Sequence, residues 1–186
     1  MKKFLEYGGV IASVVLIAVG IGAVVAGVAG RHQVRSDLKR EQIVGTPDST
    51  IPGQLVDTGS EARAFAKVMR KHTLEATGGK TYAQMPRYAG KNGQPTNDVK
   101  SAAVDPKSGK PVDNPARQIW VTETALTTAL NTSYFAESVA MFAIVMGFAL
   151  LLVGVGFLVL TLMALRRPAA ATAPRRAPSG AVPTVG

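Results

Sequence analysis

The sequence predicts a mainly α membrane protein, with two transmembrane helices flanking a helical, loop-rich extracytoplasmic domain. Three observations carry that expectation. Residues 7–30 and 138–165 are apolar and free of charge, and each run exceeds the roughly 20 residues needed to cross a bilayer core of about 30 Å. These runs hold much of the 47% hydrophobic content of a 186-residue chain that is only 18% charged. The residues between them mix both signs of charge with frequent Gly, Pro and Asn. An ordinary soluble domain and a wholly disordered chain are both excluded by that partition.

Residues 1–6 form a short basic N-terminus. Lys2 and Lys3 would suit a signal peptide, but the apolar run after them is longer than the roughly 7–15 residues of a signal core, so a retained anchor is predicted. Within span one, residues 7–30, Ala18, Gly22, Ala26 and Gly30 recur every fourth residue. Small residues at that spacing make a flat face that another helix can approach closely, and they are assigned as a helix-packing face. The partner of that face is either span two or another subunit.

The domain of residues 31–137 is expected to carry helices near 31–42, 60–77 and 115–137. The first continues span one, and Gly45-Thr46-Pro47-Asp48 follows it as a breaker. The second has Thr58 or Ser60 as its cap and Gly78-Gly79 as its stop, with Ala62, Phe65, Met69, His72 and Ala76 on one face. Lys91 to Pro95 and Asp105 to Pro111 read as turns, with short strands between. Asn114-Pro115 is a cap followed by a first helical position. No Pro or Gly interrupts residues 116–146, so the third helix is expected to run into span two, residues 138–165, with Ile119, Leu126, Leu130 and Tyr134 as its apolar face. Leu, Ile, Val and Phe number only 17 among the 103 residues 31–133, a thin core that must lean on the span ends or on a neighbour. Residues 166–186, basic and rich in Pro and Ala, are expected to be a disordered cytoplasmic tail.

The net charge of +9 is distributed as topology rather than as a nucleic-acid footprint. The tail arginines have no aromatic neighbours for base stacking, and nucleic acid is not an expected partner. Lys2, Lys3, Arg166, Arg167, Arg175 and Arg176 outnumber Arg31, Arg35, Lys39 and Arg40 beside the spans. By the positive-inside rule both termini are cytoplasmic in a multi-pass plasma-membrane protein.

Catalytic chemistry finds little to work with. His72 and Glu75 could face one metal ion across a helical turn, but the only other histidine is His32 at the edge of span one. Gly78-Gly79-Lys80-Thr81 looks like the end of a phosphate loop, yet Leu74 stands where that loop needs glycine, and a helix precedes it instead of a strand. Asn131-Thr132-Ser133 matches a glycosylation acceptor only by chance, inside a helix beside the membrane. With no cysteine and two histidines, no nucleophilic triad can be assembled. No catalytic residue, cofactor or metal is therefore assigned, and neither span contains a charge, a histidine, an Asn or a Gln that would mark a transport path.

Leu5 to Gly9, Arg40 to Asp48, Thr73 to Lys80, Gln84 to Tyr88 and Asn114 to Leu126 together resemble a family of small actinobacterial two-span membrane proteins whose activity is not established. Its members are often labelled aromatic ring-opening dioxygenases. Such chemistry typically needs two histidines and a carboxylate around iron, which His32, His72 and one acid could supply only by converging. Relatives carry a longer insertion after the Gly-Thr-Pro-Asp turn, where residues 49–56 are short here. The resulting expectation is a non-enzymatic structural or accessory subunit, working as a homo-oligomer or with another membrane protein. The alternative is an envelope sensor or small-ligand-binding protein with its pocket between the second helix and the Trp120 helix.

Overall fold

The computed structural model describes residues 2–166. Three helices dominate: α1 (Lys2–Arg40), α2 (Gly59–Ala76) and α3 (Pro115–Arg166). Single 3-10 turns occupy Tyr82–Gln84 and Val99–Ser101. Among the described residues there are five isolated β-bridges and no strand, so the short strands expected between the turns do not form. The expected disordered tail lies, beyond Arg166, outside the described residues.

Helices α1 and α3 are each long and apolar enough to cross a membrane. Only 11% of each apolar window is buried, whereas the core helix of a soluble protein would be mostly covered. At about 1.5 Å per residue, the 39 residues of α1 span about 58 Å and the 52 of α3 about 78 Å. Both therefore continue well past their charge-free runs. The third helix does run unbroken into the second apolar stretch, from the Asn114 cap, whose Oδ1 accepts from the Ala116 amide at 3.1 Å. Helix α1 stops at Arg40, short of the expected boundary at 42, with Gln42 in the left-handed region at φ 52°.

The two long helices pack antiparallel through glycine. A Cβ added at Gly20 would lie 2.8 Å from the Gly147 carbonyl oxygen, and one at Gly147 would lie 2.7 Å from that of Gly20. One at Gly27 would lie 2.6 Å from the Ala140 oxygen, and one at Gly154 3.1 Å from the Ile17 nitrogen. The contact thus repeats at seven-residue intervals, Ser13, Gly20 and Gly27 on α1 against Gly154, Gly147 and Ala140 on α3, all of them buried. This α1–α3 seam uses largely different positions from the assigned packing face. Ala18, Gly22 and Ala26 are exposed, a Cβ added at Gly22 would meet nothing within 4 Å, and one added at Gly30 would lie 3.7 Å from the Ala140 Cβ. The reason is geometric. A four-residue repeat walks about 40° around a 3.6-residue helix at each step, while a seven-residue repeat drifts by only about 20° and stays on the seam.

Above the apolar runs, α2 lies along α3 in the opposite direction. Thr58 and Glu61 make a reciprocal capping box at its start, and Gly78 and Gly79 adopt φ of 62° and 75° past its end. Its buried face is Gly59, Ala62, Ala66, Val68 and Thr73, so of the expected face Ala62 is buried, Phe65 and Met69 are partly so, and Ala76 is exposed. On α3 the buried positions are Trp120, Glu123 and Leu130, leaving Ile119 and Leu126 outside. The small core combines Leu38 of α1, Val56 of the loop, Ala62 and Ala66 of α2 and Leu130 of α3. It does lean on the extended ends of both long helices, as its thin composition requires.

Candidate functional site

Where α1, α2 and α3 meet, Glu137 holds all three. Its Oε1 accepts from Arg31 Nε at 3.0 Å and Arg35 Nε at 2.6 Å, and its Oε2 accepts from the Gly59 amide at 2.6 Å. Gly59 is the first residue of α2, so the carboxylate also faces the positive end of that helix. A Cβ on Gly59 would sit 2.8 Å from the Tyr134 Cα, which is why only glycine admits this approach. The Glu137 side chain is 13% exposed and the arginines 37% and 41%, so the arginines keep part of their hydration. Burial works to raise the Glu137 pKa, but the Gly59 amide and the two guanidinium groups outweigh it and leave the carboxyl below its ordinary value. This residue borders a charge-free run just as Arg31 borders the other, which is the mark the pair leaves in the sequence.

At the far end of α2, the Trp120 indole fastens the helix C-terminus. Its Nε1 donates to the Lys80 carbonyl at 2.9 Å and lies 3.2 Å from Thr77 Oγ1, and the Arg70 guanidinium covers the ring at 5.2 Å. Trp120 is buried, so the expected pocket between α2 and the Trp120 stretch is filled at this end by the indole itself. Beyond it, residues 81–114 form an irregular cap joined by bridges such as Tyr88 with Thr96 and Val104 with Pro111. The expected turns are present, with Gly93 at φ 81° and Gly109 at φ 64°.

Two grooves flank α2. On one side Leu38, Ile43, Phe65, Met69, Leu126 and Leu130 line an apolar groove of about 520 Å³, with Asp37 and Glu41 at its rim. On the other, a groove of about 420 Å³ is lined by Ser49, Thr50, Ser60, Arg63, Lys67 and Lys71, with Asp48 and Tyr134. Arg63 lies over the Tyr134 ring at 4.7 Å. Lys71 Nζ and His72 Nε2 both lie 2.9 Å from Asp48 Oδ2. The Lys71 ammonium, then His72 and the Thr46 hydroxyl, hold the Asp48 carboxyl well below the usual carboxylate range.

The candidate metal residues do not converge. His72 is engaged with Asp48 beside an ammonium that occupies the same oxygen, and Glu75 lies 3.9 Å from that ammonium. His32 lines a separate groove with Arg35, Ser36, Lys39 and Asp57. Among the described residues no three His, Cys, Asp or Glu gather as a metal site. Comparison with protein-family models, curated proteins and solved structures gives no match to this chain.

Proposed function

We propose that this is an integral membrane protein of the cell envelope with a non-enzymatic, structural or accessory role, and that its polar half is an extracytoplasmic platform for protein contacts. Both termini are then cytoplasmic in the plasma membrane, and the protein works as a homo-oligomer or as a subunit beside another membrane protein. Membership of the actinobacterial two-span family is part of the same proposal. The observation that carries it is the continuity of α3, one helix from Pro115 to Arg166, with α2 fixed to it at Glu137 and at Trp120. A polar domain built onto such a shaft has a fixed posture relative to the apolar hairpin. The apolar groove beside Phe65 and Met69 supports contact with another chain, because such surfaces more often mark interaction sites than free solvent faces. Mass measurement of the detergent-solubilised protein tests the reading. An oligomer or a stoichiometric co-purifying membrane protein is expected, and a lone monomer without partner would sink it.

The second reading, a small-ligand-binding or sensor protein, is favoured by the polar groove on the other side of α2. The dioxygenase reading draws less support, since His72 is engaged by Asp48 and Lys71.

A further inference from the structure

We propose that the polar groove beside α2 is a phosphate-binding site, and that its natural occupant is the headgroup of an anionic phospholipid. Arg63, Lys67 and Lys71 follow one another at four-residue spacing, so their side chains form a row along one flank of α2. Their only acidic neighbour in the groove is Asp48, which Lys71 already satisfies at 2.9 Å. Among the described residues neither Arg63 nor Lys67 has an acidic partner within salt-bridge distance, so two cations remain for a ligand. Arg63 is held in place by the Tyr134 ring, which orients its guanidinium without neutralising it.

Hydrogen-bond donors complete the site. The hydroxyls of Ser60 and Thr50 line the same groove. At the start of α2 the Gly59 amide is taken by Glu137 and the Glu61 amide by Thr58, which leaves the Ser60 amide as the uncapped donor of the first turn. Cations in a row, hydroxyls and a free helical amide are the donors that a phosphate oxygen recognises. A carboxylate-bearing ligand would use fewer of them.

Position favours a lipid over a soluble phosphate, and this part rests on the membrane-spanning reading. Tyr134 stands one helical turn before the charge-free run that begins at Ser138, so Arg63 lies at headgroup depth. Because α2 runs away from that run, Lys67 and Lys71 rise above Arg63 by about 6 and 12 Å. The headgroup layer is only about 5–7 Å deep on each side, so the row starts inside it and leads out of it.

The test uses the full chain in nanodiscs of phosphatidylcholine alone or with phosphatidylglycerol, and inorganic phosphate on the detergent-solubilised protein. Phosphatidylglycerol is expected to raise the unfolding midpoint of the wild type and to be retained through purification. Removing both free cations in R63A/K67A is expected to weaken that retention by about 30-fold, taking the worth of each near-surface cation. The conservative R63K/K67R should restore most of it, which separates loss of charge from loss of fold. K107A/K110A removes the same charge from the distant cap and should change nothing. If inorganic phosphate alone reproduces the shift, and R63A/K67A abolishes it, the site stands with a soluble occupant and the lipid source is overturned. If neither probe shifts the wild type, or R63A/K67A and K107A/K110A behave alike, the site itself is overturned.

Discussion

The apolar and polar halves of this molecule are held together by different physics. Below the Glu137 node, α1 and α3 meet through Gly20, Gly27, Gly147 and Gly154, with backbone against backbone and no charge in the seam. At the node and above it, α1, α2 and α3 are joined by one carboxylate and two arginines, by a tryptophan hydrogen bond from α3 to the end of α2, and by a small apolar cluster. Lipid tails are as apolar as the side chains, so burying apolar surface cannot drive the lower helices together and close van der Waals fit must. In water the upper half can gain from burial, but its short supply of large apolar residues makes directed polar contacts carry more of the load.

That contrast can be broken at either end. The largest effect is expected from Gly27→Leu, whose side chain would collide with the Ala140 backbone and the Ile144 side chain. Overpacking there should cost about 3 kcal/mol, read as a lowered unfolding midpoint in detergent. Gly22→Leu, with nothing within 4 Å, should stay within about 0.5 kcal/mol for the single chain. Should G22L instead change the oligomeric mass, the exposed Ala18, Gly22 and Ala26 face would be a contact between chains.

Next comes Glu137→Ala, which leaves Arg31, Arg35 and the Gly59 amide without their acceptor. A loss of about 2 kcal/mol is expected, since the arginines can turn to water but the amide is less free to do so. Hydrogen exchange should report it as faster exchange across the first turn of α2 with the glycine seam unchanged. Trp120→Phe removes the donor to Lys80 and Thr77 and should cost about 1 kcal/mol, with the faster exchange at the other end of α2.

The smallest effect concerns pH. The folded Asp48 carboxyl is held below its ordinary value, so its contribution is present above the unfolded carboxylate pKa near ~4 and is lost as pH falls through the folded value. The difference in midpoint between wild type and Asp48→Asn should therefore shrink as pH falls below about 4. A difference that failed to shrink below about 4 would contradict the pairing of Asp48 with Lys71.

The helices were legible because their signals are local. Thr58 with Glu61, Gly78-Gly79 and Asn114-Pro115 mark ends through contacts within a few residues. Which face packs was not legible in the same way. Ala18, Gly22 and Ala26 stand out at every fourth place, but the seam repeats every seventh residue, and only pairing the two long runs in antiparallel register brings Gly20 to Gly147. The polar grooves also escaped, because Asp48, Tyr134 and the Arg63 row come from separate stretches that only α2 docking unites. The left-handed Gln42 offered no glycine to announce it.

The unbroken α3 has a mechanical consequence. From Pro115 to Arg166 the shaft contains no proline after its first residue, and its glycines lie only in its second half, from Gly147 onward. The node at Glu137 therefore works as a weld and not as a joint. A push on the cap of residues 81–114 is carried down as tilt or rotation of the whole shaft, and the hairpin behaves as a lever whose two ends move together.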